Sequence, residues 1–340
     1  MRKKWVRIAA TVFVLAGLVF LGLLLGEQWE QLRNARRSIR DFDWSLNPWW
    51  IAASLLLATL NLLEMSSVWV KLFRESGGSV SYREGWRIWS ATNIGRYIPG
   101  KLWHLGGLTV YLRNRGESGA AGLVSSVAFQ VLILVTGAAT AATVLVGRPG
   151  SPLGSSTWAT GLVLLLLAAA LHPAVLRRAT GLASRLMKEE SVEIERIDNR
   201  GLAASAGAIF LSWGIYGLSL WCLLRGSVGG GVMDPLELTA VFAAGYVVGY
   251  LALMSPGGLL IREGAIVGLL ASLGGLSVGV ASVVAVAYRL ITTVSELLFL
   301  GFSFLWPAVA PGGPGDVGPS GPPDDRSPGE PGGTATTGRE

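Results

Sequence analysis

Apolar positions in this chain come in long unbroken blocks, without the one-sided stripe that a soluble helix shows. Behind a basic start, Met1-Arg-Lys-Lys-Trp-Val-Arg7, the first block runs to about Leu25 and ends in Glu27-Gln-Trp-Glu30. A signal peptide shares the basic start, but its apolar stretch is only ~7–15 residues long and ends in small residues at a cleavage site. A block of about twenty residues predicts an uncleaved first span. Five further stretches, near 48–70, 120–147, 157–175, 202–224 and 278–306, are long enough to cross ~30 Å of hydrocarbon at ~1.5 Å per residue. Trp49, Trp50, Trp158 and Trp306 fall near their ends, where amphipathic rings prefer to sit.

Two more blocks, about 82–115 and 235–276, are apolar but broken midway by Pro99-Gly100 and by Pro256-Gly257-Gly258. A Pro-Gly break midway through such a block suits a helical hairpin that dips into the membrane and returns. Non-helical backbone survives at that depth only where protein or a water-filled cavity surrounds it. The two blocks also agree in order. Tyr97-Ile-Pro-Gly-Lys101 leads to a turn at Gly116-Glu-Ser-Gly119 and a long span containing Gln130. Met254-Ser-Pro-Gly-Gly258 leads to Arg262-Glu263, a turn at Gly274-Gly-Leu-Ser277 and a span containing Arg289.

Lysine and arginine counts orient the chain. With the N-terminus inside, the inner segments carry Lys71, Arg74, Arg83, Arg87, Arg113 and Arg115, and the loop 176–200 adds more, while Arg148 and Arg225 lie outside. The segment 26–47, with arginines and acids mixed, reads as an amphipathic helix on the outer interface. In this orientation the first hairpin enters from inside and the second from outside, an inverted repeat of the kind many secondary transporters use. The predicted fold is therefore an all-α polytopic membrane protein with about six spans and two re-entrant hairpins. Residues 1–310 form the membrane domain, and 311–340 a Pro/Gly-rich tail that cannot bury a core.

Composition sharpens this picture. Of 340 residues, 51% are hydrophobic and only 15% charged, with a mean hydropathy of +0.50. Charged residues usually approach a quarter of a soluble domain. The formal charge of +6, from 28 basic and 22 acidic residues, is spread between apolar blocks. That pattern points to an anionic membrane surface and not to nucleic acid. The lone cysteine, Cys222, excludes a disulfide scaffold, and with only His104 and His172 beside it no metal site or other cofactor is expected.

At the two broken blocks the chain resembles the lysylphosphatidylglycerol synthase transmembrane region, the flippase-like domain family. The matching stretches are Asn93-Ile-Gly-Arg-Tyr-Ile-Pro-Gly-Lys101, Ser255-Pro-Gly-Gly-Leu-Leu-Ile-Arg-Glu-Gly264 and Tyr288-Arg289. The resemblance implies an integral protein of a bacterial or archaeal plasma membrane, with both termini cytoplasmic under the charge-derived orientation. The best-understood relatives move aminoacylated phosphatidylglycerol between leaflets, and others are associated with lipid-linked sugars or hopanoids. Two departures stand out. Gln130-Val131 occupies the position where the family often carries an acidic–basic pair, and the aminoacyl-transfer domain of the two-domain relatives is missing, so synthase activity is not implied.

Charges inside hydrocarbon cost ~2.5–3.5 kcal/mol even on the lenient insertion scale, so those within apolar blocks are informative. Arg96, Lys101 and His104 surround the first break, Arg262 and Glu263 follow the second, and Arg289 lies within the last span. These suit the phosphate of a lipid headgroup, since arginine offers a bidentate fork and lysine a compact charge. The alternative for the first three is snorkelling to the interface. For Arg262-Glu263 it is a local ion pair, and for Arg289 a structural lock with Glu296 or Glu263. Asn61 and Glu64 share a face of the second span; Glu64 is a coupling carboxylate, a partner for an arginine or an interface residue. Gly22-x-x-x-Gly26, Gly245-x-x-x-Gly249 and Gly264-x-x-x-Gly268 permit close helix approach, though 46 glycines produce such matches by chance.

The leading expectation is a lipid translocase acting on a phospholipid or polyprenyl-phosphate-linked lipid, downhill or ion-coupled because no ATPase motif is present. An intramembrane lipid-modifying enzyme is the second, with Glu64 or Glu263 as its general base. A scaffold recruiting a lipid or glycan enzyme through 176–200 or the tail is the third. A homo-oligomer fits any of them.

Overall fold

The structure, a computed structural model, describes residues 39–93, 103–146, 148, 161, 199–252 and 260–305, without the side chains of 103–106 and 199. The first span, the stretch 157–175 apart from Gly161, both Pro-Gly breaks and the tail lie outside them. Eight helices are described: α1 (Pro48–Glu75), α2 (Tyr82–Asn93), α3 (Trp103–Arg113), α4 (Gly119–Leu145), α5 (Asn199–Ser227), α6 (Pro235–Leu251), α7 (Ile261–Gly274) and α8 (Val278–Leu305). No strand occurs among the described residues. Four helices, α1, α4, α5 and α8, are long and apolar enough to cross a membrane. This is an all-α, polytopic membrane protein.

Local sequence sets the helix starts. Asn47 caps α1 through its side chain, with Pro48 in the first turn where a missing N–H costs nothing. Asp234 and Glu237 form a reciprocal capping box ahead of α6, again with a proline at the start. The two turns matched in the sequence are built alike. Gly116 (φ +77°) and Gly275 (φ +65°) take the left-handed conformation that closes a helix. Ser118 and Ser277 then cap α4 and α8 through bonds from Ala121 and Val280 N–H.

Contacts between helix ends reveal the topology. At one end of the bundle Lys71 donates to the Gly201 carbonyl (3.3 Å), Arg115 pairs with Glu84 (2.6 Å), Ser79 Oγ donates to Glu117 (2.6 Å) and Ser90 meets Ser303 (2.9 Å). The first three join the ends of α1 and α3 to the starts of α2, α4 and α5, and the last joins the end of α8 to the later part of α2. At the opposite end Asn47 N–H donates to the Gly226 carbonyl (2.8 Å), and Arg148 pairs with Glu237. Gly274 packs there against Val232 and Met233. So α2 begins and α3 finishes at the first end, while α6 begins and α7 finishes at the second. With 12 and 11 residues, α2 and α3 are each too short to cross ~30 Å.

Between the ends, helices are held by small residues and short polar links, as expected where lipid supplies no hydrophobic drive. Gly217 sits against the backbone of Thr239, and Gly137 against Trp213. Ser54 and Ser219 (3.2 Å), Trp69 Nε1 and Ser126 (3.0 Å), Trp86 Nε1 and Ser67 (2.9 Å) and Trp213 Nε1 and Thr136 (3.0 Å) bond across helix pairs. Leu56, Leu60, Phe210, Leu211, Val286, Leu290 and Leu297 are exposed on the outside, as a lipid-facing surface requires.

Candidate functional site

Helices α6, α7 and α8 bring three sequence-predicted residues together: Arg262, Glu263 and Arg289. Close approach of α6 and α7 comes first. A Cβ on Gly249 would lie 2.6 Å from Arg262 Cβ, and one on Gly245 would lie 2.6 Å from Ile266 Cγ1, so both glycines are needed for the contact. The Gly245-x-x-x-Gly249 spacing is thus an interface. The Gly264-x-x-x-Gly268 spacing is not, since nothing lies within 4 Å of where either Cβ would be. Gly22 and Gly26 lie outside the described residues.

Arg262 does not pair with its neighbour Glu263, because adjacent residues on a helix point to different sides. Its guanidinium stacks over Phe242 (4.6 Å to the ring centre) and Tyr246 (5.7 Å), one turn apart on α6. Buried Arg262 Nε has no hydrogen-bond partner among the described residues. Glu263 turns instead to α8, where its Oε1 is 3.8 Å from Arg289 Nη1, with both side chains 15% exposed. Opposite charges at that distance attract without a hydrogen bond. Glu263 Oε2 is buried with no hydrogen-bond partner among the described residues. Of the two partners considered for Arg289, Glu263 is the one at ion-pair distance; Glu296 is half-buried a further two turns along α8.

Aromatic residues complete the surroundings. Tyr216, Phe242 and Tyr288 pack in succession at 4.6 and 5.3 Å, and the buried Tyr288 hydroxyl donates to the Tyr216 carbonyl at 2.8 Å. Measured along their helices from the second end, Tyr246, Arg262 and Arg289 all lie about 17 Å in, close to the middle of a ~30 Å hydrocarbon layer.

Next to this cluster, with Tyr216 and Tyr246 shared between them, a narrow cleft lies among α1 to α6. Its cavity volume is about 60 Å³. Trp69, Trp89, Phe129, Tyr216 and Tyr246 line it together with Thr92, Asn93, Ser126 and Gln130. Gln130 Oε1 is buried without a partner among the described residues. A polar cleft of that size holds several waters. Sequence reasoning missed Trp69, Trp89 and Tyr246, which resembled ordinary core or interface aromatics.

Glu64 accepts a hydrogen bond from Ser212 on α5, so its partner is a serine and not an arginine. Asn61 is fully buried, and neither of its amide atoms has a partner among the described residues. Arg96, Lys101, Pro99, Gly100, Pro256, Gly257 and Gly258 lie outside the described residues, as does the side chain of His104. Among the described residues no cluster of His, Cys, Asp and Glu is suited to a metal ion.

The sequence model for the lysylphosphatidylglycerol synthase transmembrane region matches residues 6–299. The chain belongs to this family. The match takes in all eight helices apart from the last turns of α8. No curated protein and no solved structure matches the chain. Membership and the membrane helices make it an integral membrane protein of lipid-related function.

Proposed function

We propose that this member of the family binds a lipid headgroup at the Arg262–Glu263–Arg289 cluster and translocates the lipid between leaflets without covalent chemistry. One observation carries the reading: two guanidiniums and one carboxylate lie near the bilayer middle beside a polar cleft. Ionisable groups at that depth are costly and are usually retained for a substrate or ion path. A phosphate would satisfy the unpaired Arg262 Nε and shift the balance of the Arg289–Glu263 contact. Headgroup passage needs a hydrophilic route, which the cleft supplies over part of the depth while the acyl chains remain in lipid.

The opposed pairs α2–α3 and α6–α7, with their matching Gly-turn-Ser-cap exits, support an inverted repeat with the site at its interface. The first end of the bundle carries Lys71, Arg74, Arg83, Arg87, Arg113, Arg115 and Arg200, and the second Arg148 and Arg225. By the positive-inside rule the first end faces the cytoplasm of the plasma membrane, with both chain termini on that side.

Leaflet exchange of a tail-labelled anionic phospholipid in reconstituted vesicles tests this. The full chain should accelerate exchange, and Arg262→Ala should lower the rate roughly tenfold or more, the effect of losing a charge-assisted contact. An exchange rate unchanged by adding protein overturns translocation for the lipids sampled. Product formation from the lipid, abolished by Glu263→Gln, would favour the enzyme instead.

A further inference from the structure

We infer that Asn61, Glu64 and Ser212 form a binding site for a monovalent metal cation in the seam between α1 and α5. The site uses none of the residues of the arginine cluster and stands whether or not the chain moves lipid.

Register places the three residues together. Ser54 on α1 meets Ser219 on α5, and Lys71 meets Gly201, so the two helices run antiparallel. Asn61 is seven residues on from Ser54, and Ser212 seven back from Ser219, two turns in each case. Asn61 and Ser212 therefore share one level of the seam, and both are fully buried. Glu64, one turn past Asn61 on the same face, accepts a hydrogen bond from the Ser212 hydroxyl. Asn61 stands at the midpoint of the 28-residue α1, which puts the group near the middle of the hydrocarbon.

Two deficits define what the site lacks. Glu64 has no lysine or arginine at ion-pair distance among the described residues, although a bare carboxylate at this depth is costly. Asn61 leaves both its amide oxygen and its amide nitrogen without a partner among the described residues, which is rare for a buried side chain. A cation would neutralise the carboxylate and take the amide oxygen as a ligand, and Ser212 Oγ keeps a lone pair for it beside the bond it donates. Carboxylate, amide carbonyl and water-like hydroxyl oxygens are the ligands of hard cations. Charge balance then selects a single positive charge. One carboxylate cancels it, whereas a divalent ion would leave surplus charge in hydrocarbon. A proton is the competitor, but it bridges at most two of the three oxygens, and binding measured at fixed pH tells the two apart.

The test uses the full chain in detergent, with choline chloride replaced by radiolabelled sodium chloride at constant pH and ionic strength. Sodium should bind saturably, with a single ion per chain, and should raise the unfolding temperature. Glu64→Gln removes the charge but keeps the size and the contact with Ser212; Asn61→Leu removes the amide ligand. Each should weaken sodium binding roughly tenfold or more, the effect of losing one contact to a charged group. Without sodium, Asn61→Leu should melt no lower than the unmodified protein, because the amide is unsatisfied there; with saturating sodium it should melt lower. The site is overturned by an absence of saturable binding, by binding left intact in both variants, or by calcium binding more tightly than sodium. An unfolding temperature that follows pH and ignores sodium would likewise overturn it and give Glu64 a proton instead. Loss of the site leaves the Arg262 reading untouched, and a failure to move lipid leaves the ion site standing.

Discussion

Glu263 and Arg289 illustrate how much a single buried charge depends on its partner. Each side chain is mostly enclosed, and the ion pair spans α7 and α8. Removing Arg289 takes from the Glu263 carboxylate its ion-pair partner, which in buried pairs costs ~3–5 kcal/mol, whereas replacing both with apolar groups costs far less. Arg289→Leu should therefore lower the thermal unfolding temperature in detergent more than the Glu263→Leu/Arg289→Leu double variant does. Additive losses in the double variant would show that the two residues act independently. Asn61 gives the opposite expectation. Its amide is fully buried and partnerless among the described residues, a condition that costs ~1–3 kcal/mol. Asn61→Leu should raise stability by about 1 kcal/mol, read by the same melt; a fall would mean that the amide is satisfied in the membrane. At this scale the sequence offered the residues and not their partners. Spacing placed Glu263 beside Arg262 in the chain, but helical geometry turns them apart and hands the carboxylate to α8.

Among helices, packing rests on glycines whose hydrogens face a neighbour's backbone. A Cβ at Gly217 would lie 1.9 Å from Thr239 Oγ1 and 2.5 Å from its Cα, and backbone cannot rotate away. Gly217→Ala should separate α5 from α6 and cost ~1–3 kcal/mol, with Gly249→Ala acting likewise on α6 and α7. Gly268→Ala meets nothing within 4 Å and should be neutral or stabilising by up to ~1 kcal/mol, the gain in helix propensity. Unfolding temperatures of the three variants check the ordering; equal losses would contradict it. The sequence placed the four long described helices approximately, since apolar length is a local signal. It did not show which of the small-residue spacings packs, because the spacing alone is common in a chain with 46 glycines.

For the molecule as a whole, the two short helix pairs lead to a topological prediction. Asn114, after α3, and Ser277, before α8, are both exposed and lie at opposite ends of the bundle. With Cys222, which is buried, replaced by alanine, Asn114→Cys should react with an impermeant maleimide from the cytoplasmic side and Ser277→Cys from the outside. Labelling of both from one side would refute the arrangement of α2–α3 and α6–α7.

The sequence by itself determined the membrane setting, the four long spans among the described residues, the order of the two broken blocks in the chain and the family. Each follows from a one-dimensional quantity: apolar length set against bilayer thickness, proline and glycine set against helix continuity, and motif order. Only the tertiary structure decided that Arg262 lies on an aromatic face, that Glu263 answers Arg289, and that Gln130, Trp89 and Tyr246 meet around one cleft. Those contacts join residues far apart in the chain, and they depend on how each helix is rotated and how deep it sits. Rotation and depth are fixed by close packing between helices, and no spacing within one helix encodes them.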